Sequence, residues 1–136
     1  MHPLLRQVFS ARGIRSTADL NHSLNGLPSP GLLRGIQAAT ERLLEAIDRS
    51  ESILVLGDYD TDGATSSALA ILGLRSLGAG QVGYLVPNRF DYGYGLSTAI
   101  AEVAKTMQPS LVITVDNGIS SLDGVQVLRS AGIDVI

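Results

Sequence analysis

The chain has 136 residues, of which 45% are hydrophobic and 17% charged, and this composition is typical of one folded domain rather than of a disordered segment. Ten Lys and Arg residues against 13 Asp and Glu residues give a net charge of −3, which argues against a broadly basic nucleic-acid-binding surface but allows a local basic groove. The absence of cysteine excludes disulfides and thiolate metal sites. No apolar run approaches the roughly 20 residues that cross a bilayer, and no signal-peptide pattern is present. We therefore expect no membrane association and a cytoplasmic location.

The first 50 residues predict a helical N-terminal segment. Leu4, Leu5, Val8 and Phe9 have helical spacing, and Gly13 stands where a short helix would end. Residues 25–31 have the composition of a loop, and a second amphipathic helix is predicted over residues 32–49. We therefore divide the chain into a helical preface, residues 1–50, and a second domain, residues 51–136.

From residue 52 onward, strand patterns alternate with helix patterns. The predicted strands are residues 53–56, 81–86, 111–115 and 133–136, and the predicted helices are residues 64–77, 97–107 and 121–130. This alternation predicts an α/β fold with a parallel sheet and flanking helices. Ligands of such sheets bind outside the carboxyl ends of the strands. We therefore look for functional residues in the loops that follow the first three strands.

The loop after the first strand contains three carboxylates, Asp58, Asp60 and Asp62, followed by Gly63. Their alternate spacing in an extended loop predicts that all three point to one side, where oxygen ligands would suit Mg²⁺, Mn²⁺ or Ca²⁺. A solvated acidic turn at a helix N-terminus is the simpler interpretation. An EF-hand is excluded because its twelfth position is Leu69 instead of Glu, and a P-loop is excluded because no Lys follows the glycine. A dehalogenase-type phosphatase, with Asp60 as nucleophile, stays open as an alternative.

Two further loops carry candidate residues. Asp116 follows the third strand, and a cation shared with the first acidic loop would compensate four carboxylates. In residues 87–95, Arg89 is a candidate for binding phosphate and Tyr92 and Tyr94 are candidates for stacking on bases. The alternative for this loop is an ordinary connection in which Arg89 pairs with Asp91.

Together these segments resemble the DHH phosphoesterase superfamily, which has a Rossmann-like fold, and within it the RecJ family. The resemblance covers nearly the whole chain. The acidic motif of residues 57–63 is specific to the superfamily, and the Pro-Asn-Arg and Gly-Tyr-Gly-Leu segments, with the helical preface, narrow the resemblance to the RecJ family. The segments that carry it are His2-Pro3-Leu4-Leu5, Ala11-Arg12-Gly13-Ile14, Gly57-Asp58-Tyr59-Asp60-Thr61-Asp62-Gly63, Val86-Pro87-Asn88-Arg89, Gly93-Tyr94-Gly95-Leu96 and Thr114-Val115-Asp116-Asn117-Gly118-Ile119-Ser120-Ser121, with the helix pattern around Glu41-Arg42-Leu43-Leu44.

The resemblance implies a metal-dependent 5′→3′ exonuclease that acts on single-stranded DNA in repair and recombination. It implies a two-metal site holding Mn²⁺ or Mg²⁺, with Asp60, Asp62 and Asp116 as catalytic metal ligands and Asp58 as a weaker one. The residues that it implies for binding substrate phosphate are Arg89, Asn88, Tyr94, Gly95, Asn117 and Gly118. The partners that it implies are single-stranded DNA, a single-stranded-DNA-binding protein and a helicase.

Two family motifs, the third with Asp-His-His and the fourth with an aspartate, have no counterpart in this sequence. The Asp-His-His motif would follow the fourth strand, but the sequence ends at Ile136, and neither His2 nor His22 matches a ligand position. We therefore expect a fragment with little or no nuclease activity of its own. Other DHH phosphodiesterases, acting on oligonucleotides or cyclic dinucleotides, stay open, as does a non-catalytic DHH-like scaffold. A manganese pyrophosphatase is disfavoured because Leu56 occupies the position of its histidine.

Overall fold

The structure is a computed structural model that describes residues 1–21 and 23–136. It divides into two compact units, Met1–Ile36 and Gln37–Ile136. The predicted boundary at residue 50, between a helical preface and a second domain, stays a prediction. No helix among the described residues is both long and apolar enough to span a membrane.

The first unit contains helix α1, Pro3–Ala11, as the spacing of its leucines predicts. His2 caps this helix, since its Nδ1 accepts a hydrogen bond of 3.2 Å from the Leu4 N–H. Short 3₁₀ turns follow at Ala18–Leu20, Leu24–Gly26 and Pro30–Leu32. None of the described residues in this unit is buried, so the unit has no hydrophobic core of its own. His22, which matched no ligand position, lies outside the described residues.

Helix α2 spans Ile36–Asp48 and begins later than the predicted residue 32. The delay has a local cause, because Pro30–Leu32 forms a 3₁₀ turn and Gly35 has φ of +80°, a left-handed conformation that interrupts a helix. Ala46 of α2 is fully buried among residues of the sheet and of helix α3, Thr61–Ser76. The second predicted helix is thus part of the layer that covers the sheet.

The second unit is built on a four-stranded parallel sheet, which confirms the predicted fold class. Its strands are β1 Ser52–Leu56, β2 Gln81–Leu85, β3 Leu111–Thr114 and β4 Asp134–Val135, in the order β2-β1-β3-β4. Strand β1 lies between β2 and β3, and its continuous apolar sequence is typical of a strand that is buried on both faces. Its neighbour β3 leads into the loop of Asp116, as expected if this loop and the loop after β1 share a cation.

Helices cover both faces of the sheet. Ile53 and Val55 of β1 pack on the side of α2 and α3. The remaining helices are α4 Arg89–Tyr92, α5 Thr98–Thr106 and α6 Leu122–Ser130. Leu54 and Leu56 pack on the opposite side, among residues of α5 and α6. Because successive side chains of a strand point to opposite faces, the run 53–56 supplies residues to both core clusters.

Two local predictions are corrected by the structure. Helix α3 begins at Thr61, three residues before the predicted start, so Asp62 and Gly63 lie in its first turn and not in a loop. The middle connection contains the one-turn helix α4, capped by Asn88, where the sequence predicted only loop. In both cases a polar side chain accepts a hydrogen bond from a backbone N–H two or three residues ahead and starts a helix earlier than hydrophobic periodicity indicates.

Candidate functional site

The acidic loops after β1 and β3 leave the sheet side by side. Leu56 is the register partner of Thr114, and the Val115 N–H donates a hydrogen bond of 3.0 Å to the Leu56 carbonyl. Asp58 lies two residues beyond the end of β1, and Asp116 lies two residues beyond the end of β3. Parallel pairing therefore brings both loops to one carboxyl edge, as the sequence predicts.

The three carboxylates of the first loop do not share one side of an extended segment, so that expectation is corrected. Asp58 is 2% exposed, whereas Asp60 and Asp62 are exposed. Asp60 is the N-cap of α3 and accepts a hydrogen bond of 3.0 Å from the Gly63 N–H. The alternation fails because the chain turns into the helix at Asp60, so Asp62 follows helical and not extended geometry.

Gly63 is required for close approach rather than for an unusual backbone conformation. A Cβ at this position would overlap the backbone of Asp58. The absence of a side chain at Gly63 therefore allows the first turn of α3 to pack directly against the chain at Asp58. This close packing fixes the position of Asp60 and Asp62 relative to β1.

Asp116 belongs to the same cluster as the carboxylates of the first loop. Desolvation raises the pKa of Asp116, and the neighbouring Asp60 carboxyl raises it further, with smaller contributions from Asp62 and Asp58. The hydrogen bond from the Gly63 N–H lowers the pKa of Asp60, which also interacts with Asp116. Asp116 has φ of +61°, a conformation that few residues other than glycine adopt and that often marks a functional site.

Arg89 joins this cluster from the connection after β2. Its guanidinium forms an ion pair of 3.1 Å with the buried Asp58 carboxylate. The guanidinium carbon lies 4.0 Å from the ring centroid of Tyr59 and 5.1 Å from that of Tyr94. The alternative pairing with Asp91 is not observed, because Asp91 accepts a hydrogen bond of 2.7 Å from the Asn88 side chain.

The remaining predicted residues lie around the same edge. Tyr94 donates a hydrogen bond of 3.2 Å from its hydroxyl to the Asp116 carbonyl. The Asn117 amide donates to the Val115 carbonyl at 3.0 Å, and its side-chain oxygen is buried without a protein partner. Gly95 is buried beside Asn117, and Gly118 has φ of +107° next to Thr114. Tyr94, Asp116, Asn117 and Gly118 line one cavity of 630 Å³.

The chemistry of this donor set fits a hard divalent cation, since all candidate ligands are carboxylate oxygens. Desolvation first, and then the neighbouring carboxyls, raise the pKa of Asp116, so a nearby cation would compensate charge in this cluster. Within residues 1–21 and 23–136, however, no group of three or more His, Cys, Asp or Glu side chains is arranged to hold a metal ion. Asp58 is engaged by Arg89 and Asp60 by its helix cap. The ligand roles of Asp58, Asp60, Asp62 and Asp116 therefore stay predictions.

The sequence analysis missed one contact residue of this region, Tyr59. It lies between two candidate ligands in the sequence, and its ring stacks on Arg89, which is 30 positions further along the chain. Its exposure is 52%, so no burial pattern would have singled it out. The only available signal is an aromatic residue inside an otherwise acidic and small loop.

Comparison with known proteins identifies the family to which the chain belongs. Residues 52–136 match the model of the DHH family, N-terminal domain. This segment is more than half of the chain, so the chain belongs to the DHH family. The match favours the DHH interpretation of the acidic motif over the dehalogenase one.

Within this family, the similar proteins are RecJ exonucleases, which confirms the resemblance that the motifs indicated. The chain is 48% identical over 135 residues to the single-stranded-DNA-specific exonuclease RecJ of Haemophilus influenzae, and the match covers 99% of the chain and 24% of that relative. It is 37% identical over 126 residues to RecJ of Thermus thermophilus, covering 92% of the chain and 18% of the relative. The chain therefore spans less than a quarter of the length of either relative.

Two solved structures share the fold. One is a crystal structure of exonuclease RecJ bound to manganese, with a TM-score of 0.69 and 35% identity over 80% of this chain and 27% of that one. The other is RecJ from Thermus thermophilus in complex with Mn²⁺, with a TM-score of 0.64 and 31% identity over 93% of this chain and 17% of that one. Both relatives bind a divalent cation.

Proposed function

We propose that this chain forms the metal-binding and phosphate-binding edge of a RecJ-type nuclease that hydrolyses single-stranded DNA from the 5′ end. The observation that carries the proposal is the convergence of Asp60, Asp62 and Asp116 beside Arg89, at the carboxyl edge of two adjacent parallel strands. Carboxylates and an arginine at one edge suit a substrate that is a polyanion and a reaction that needs a cation.

Asp60, Asp62 and Asp116 would hold Mn²⁺ or Mg²⁺, as the manganese-bound RecJ structures suggest. Such a cation lowers the pKa of a bound water and stabilises charge on phosphate oxygens. The protein's own contribution is to hold the three carboxylates in place. It does so through the hydrogen bond from the Gly63 N–H to Asp60 and through the pairing of β1 with β3. Asp58 differs from the others, because its buried ion pair with Arg89 gives it a supporting role.

Arg89 would bind a phosphate of the DNA backbone. Its side chain is 38% exposed, so part of the guanidinium is accessible although Asp58 pairs with the group. Tyr94, Asn117 and Gly118 line one cavity together with Asp116, and with Asn88 and Gly95 they would complete the phosphate site. A single-stranded-DNA-binding protein and a helicase as partners rest on the family resemblance, and a cytoplasmic location is proposed from the sequence patterns.

The test is a chimaera in which this chain replaces the matched segment of the Haemophilus influenzae relative. We expect Mn²⁺-dependent degradation of 5′-labelled single-stranded DNA, lost in Asp62→Ala and retained in Asp48→Ala, a control at the end of α2. Degradation that does not need Asp62 would contradict the ligand assignment. A folded chimaera without activity on DNA, but with activity on a cyclic dinucleotide, would favour another DHH phosphodiesterase. Inactivity on both would favour a scaffold.

A further inference from the structure

Three loops of the candidate site are joined by one set of contacts around Arg89. Tyr59 comes from the loop after β1, Tyr94 from the connection after β2, and Asp116 from the loop after β3. The Arg89 guanidinium lies 4.0 Å from the Tyr59 ring and 5.1 Å from the Tyr94 ring. The hydroxyl of Tyr94 reaches the Asp116 carbonyl at 3.2 Å. Tyr94 thus contacts Arg89 through its ring and Asp116 through its hydroxyl.

An arginine that binds phosphate works best when its guanidinium is already oriented, because a long flexible side chain otherwise loses rotamer entropy on binding. Asp58 fixes one edge of the guanidinium through a side chain that is itself buried. The two tyrosine rings hold its faces, and the Nε atom is buried without a hydrogen-bond acceptor. The Asp58 ion pair and packing against the rings, and not hydrogen bonding at Nε, therefore keep the side chain in this orientation.

Asp116 also needs support from outside its own loop. Its φ of +61° is unfavourable for a residue with a Cβ, so surrounding contacts must maintain it. The Tyr94 hydroxyl binds the carbonyl of this residue directly. A donor at that carbonyl favours the peptide orientation that accompanies the left-handed conformation, and so it favours the position of the Asp116 carboxyl.

We propose that Tyr94 is a positioning residue that holds Arg89 and Asp116 in a fixed relation, through its ring on one side and its hydroxyl on the other. The roles of the two residues that it joins rest on the proposed function, but the contacts themselves do not. The proposal predicts that the two halves of the tyrosine act separately. Removing the hydroxyl alters Asp116 and leaves Arg89 in place, whereas removing the ring alters both.

The first measurement is the Nε–H signal of Arg89 in a nitrogen-15 correlation spectrum of the metal-free chain, assigned with Arg89→Gln. Ring currents of the two tyrosines should shift this signal away from those of exposed arginines. We expect Tyr94→Phe to leave it unchanged, and Tyr94→Leu and Tyr59→Leu to move it towards the exposed position. Tyr84→Leu is the matched control, since Tyr84 is an exposed tyrosine on β2. An unchanged signal in Tyr94→Leu would overturn the ring contact.

The second measurement separates the hydroxyl from the ring. We expect Tyr94→Phe to shift the backbone amide signals of Asp116 and Asn117 and to weaken Mn²⁺ binding about fivefold, the effect of losing one ordinary hydrogen bond. Tyr59→Phe is the control, because it also loses a hydroxyl from a ring that stacks on Arg89. Amide signals and Mn²⁺ affinity equal to wild type in Tyr94→Phe would contradict the positioning of Asp116.

The outcomes distinguish this inference from the proposed function. If the wild-type chain binds no Mn²⁺, the metal assignment fails, while the Nε–H and amide signals still decide whether Tyr94 joins Arg89 to Asp116. If Mn²⁺ binds at the carboxylates and the variants leave every signal unchanged, the proposed function stands and the role of Tyr94 is refuted.

Discussion

Asp58, Asp60 and Asp116 have the same side chain but different surroundings. Asp58 is buried and paired with Arg89. Asp60 accepts a backbone hydrogen bond that lowers its pKa, and Asp116 is partly desolvated beside Asp60, so that its pKa is raised. A nearby positive charge would therefore offset the influence of the neighbouring carboxyls on Asp116.

Replacing Asp60 by Asn tests this coupling at the level of single residues. The Asn side-chain oxygen retains the cap on the Gly63 N–H, whereas the charge is lost. We expect the pKa of Asp116 to fall towards its ordinary value of 3.8, as measured by carbon-13 titration of the carboxyl signal without metal. Asp48→Asn, at the end of α2, is the control. An Asp116 titration that is unchanged in Asp60→Asn would contradict the coupling.

The lowered pKa of Asp60 and the raised pKa of Asp116 make the stability of the fold depend on pH in opposite directions. The folded state holds the Asp60 proton less tightly than the unfolded chain, so Asp60 stabilises the fold above its ordinary pKa and loses this contribution as the pH falls through its lowered value. The folded state holds the Asp116 proton more tightly, so stability decreases as the pH rises from 3.8 to the raised pKa of Asp116. In Asp60→Asn, the contribution of residue 60 to the pH dependence should disappear, and that of Asp116 should become weaker.

At the scale of elements, the first turn of α3 determines where two of the candidate ligands lie. This turn packs against the backbone at Asp58, and only a glycine at position 63 allows that approach. A change at Gly63 should therefore affect stability as well as the site.

Gly63→Ala and Gly73→Ala form a matched pair within α3. A Cβ at Gly63 overlaps backbone atoms that cannot rotate away, so we expect a loss of about 2 kcal/mol in the free energy of unfolding. A Cβ at Gly73 meets no atom within 4 Å, so we expect a gain of roughly 0.5–1 kcal/mol from the higher helix propensity of alanine. Urea unfolding measures both. Equal effects of the two changes would contradict the close approach at Gly63.

At the amino ends of the strands, on the edge of the sheet opposite the candidate site, Arg42 of α2 forms two ion pairs. Its side chain forms ion pairs of 2.6 Å with Glu51, which precedes β1, and with Asp134 of β4. We expect Arg42→Ala to lower the free energy of unfolding by about 2 kcal/mol, because two carboxylates lose their partner and that of Glu51 is largely buried. Arg49→Ala removes an exposed pair with Glu45 within α2 and should cost about 0.5 kcal/mol or less. Similar losses in both variants would show that Arg42 does not tie the strands together.

Much of the fold could be predicted from the sequence, because it depends on local patterns. The apolar run at residues 53–56 predicts a buried strand, and its alternation with helices predicts the parallel sheet. The predicted start of α3 is wrong by three residues, since Asp60 accepts a capping hydrogen bond from the Gly63 N–H and the helix extends beyond its hydrophobic pattern. The site residues could be named from motifs, but the Asp58–Arg89 pair could not, because the two residues are 31 positions apart and meet only through the sheet.

At the scale of the whole molecule, the central claim is that the carboxyl edge of the sheet binds a divalent cation. The loops after β1, β2 and β3 all contribute to this edge through Asp60, Arg89 and Asp116. The relatives that share the fold bind manganese, and the chain covers only 24% of one RecJ exonuclease and 18% of another. The claim for this chain is therefore tested best by a measurement that detects even weak binding.

The most direct measurement is paramagnetic broadening of backbone amide signals by substoichiometric Mn²⁺. We predict that broadening centres on residues 60–63 and 115–118, that excess Mg²⁺ reverses it, and that it disappears in Asp62→Asn with Asp116→Asn. The double variant Asp48→Asn with Asp91→Asn should behave as wild type. Broadening that is centred elsewhere, or that survives the loss of Asp62 and Asp116, would contradict the account.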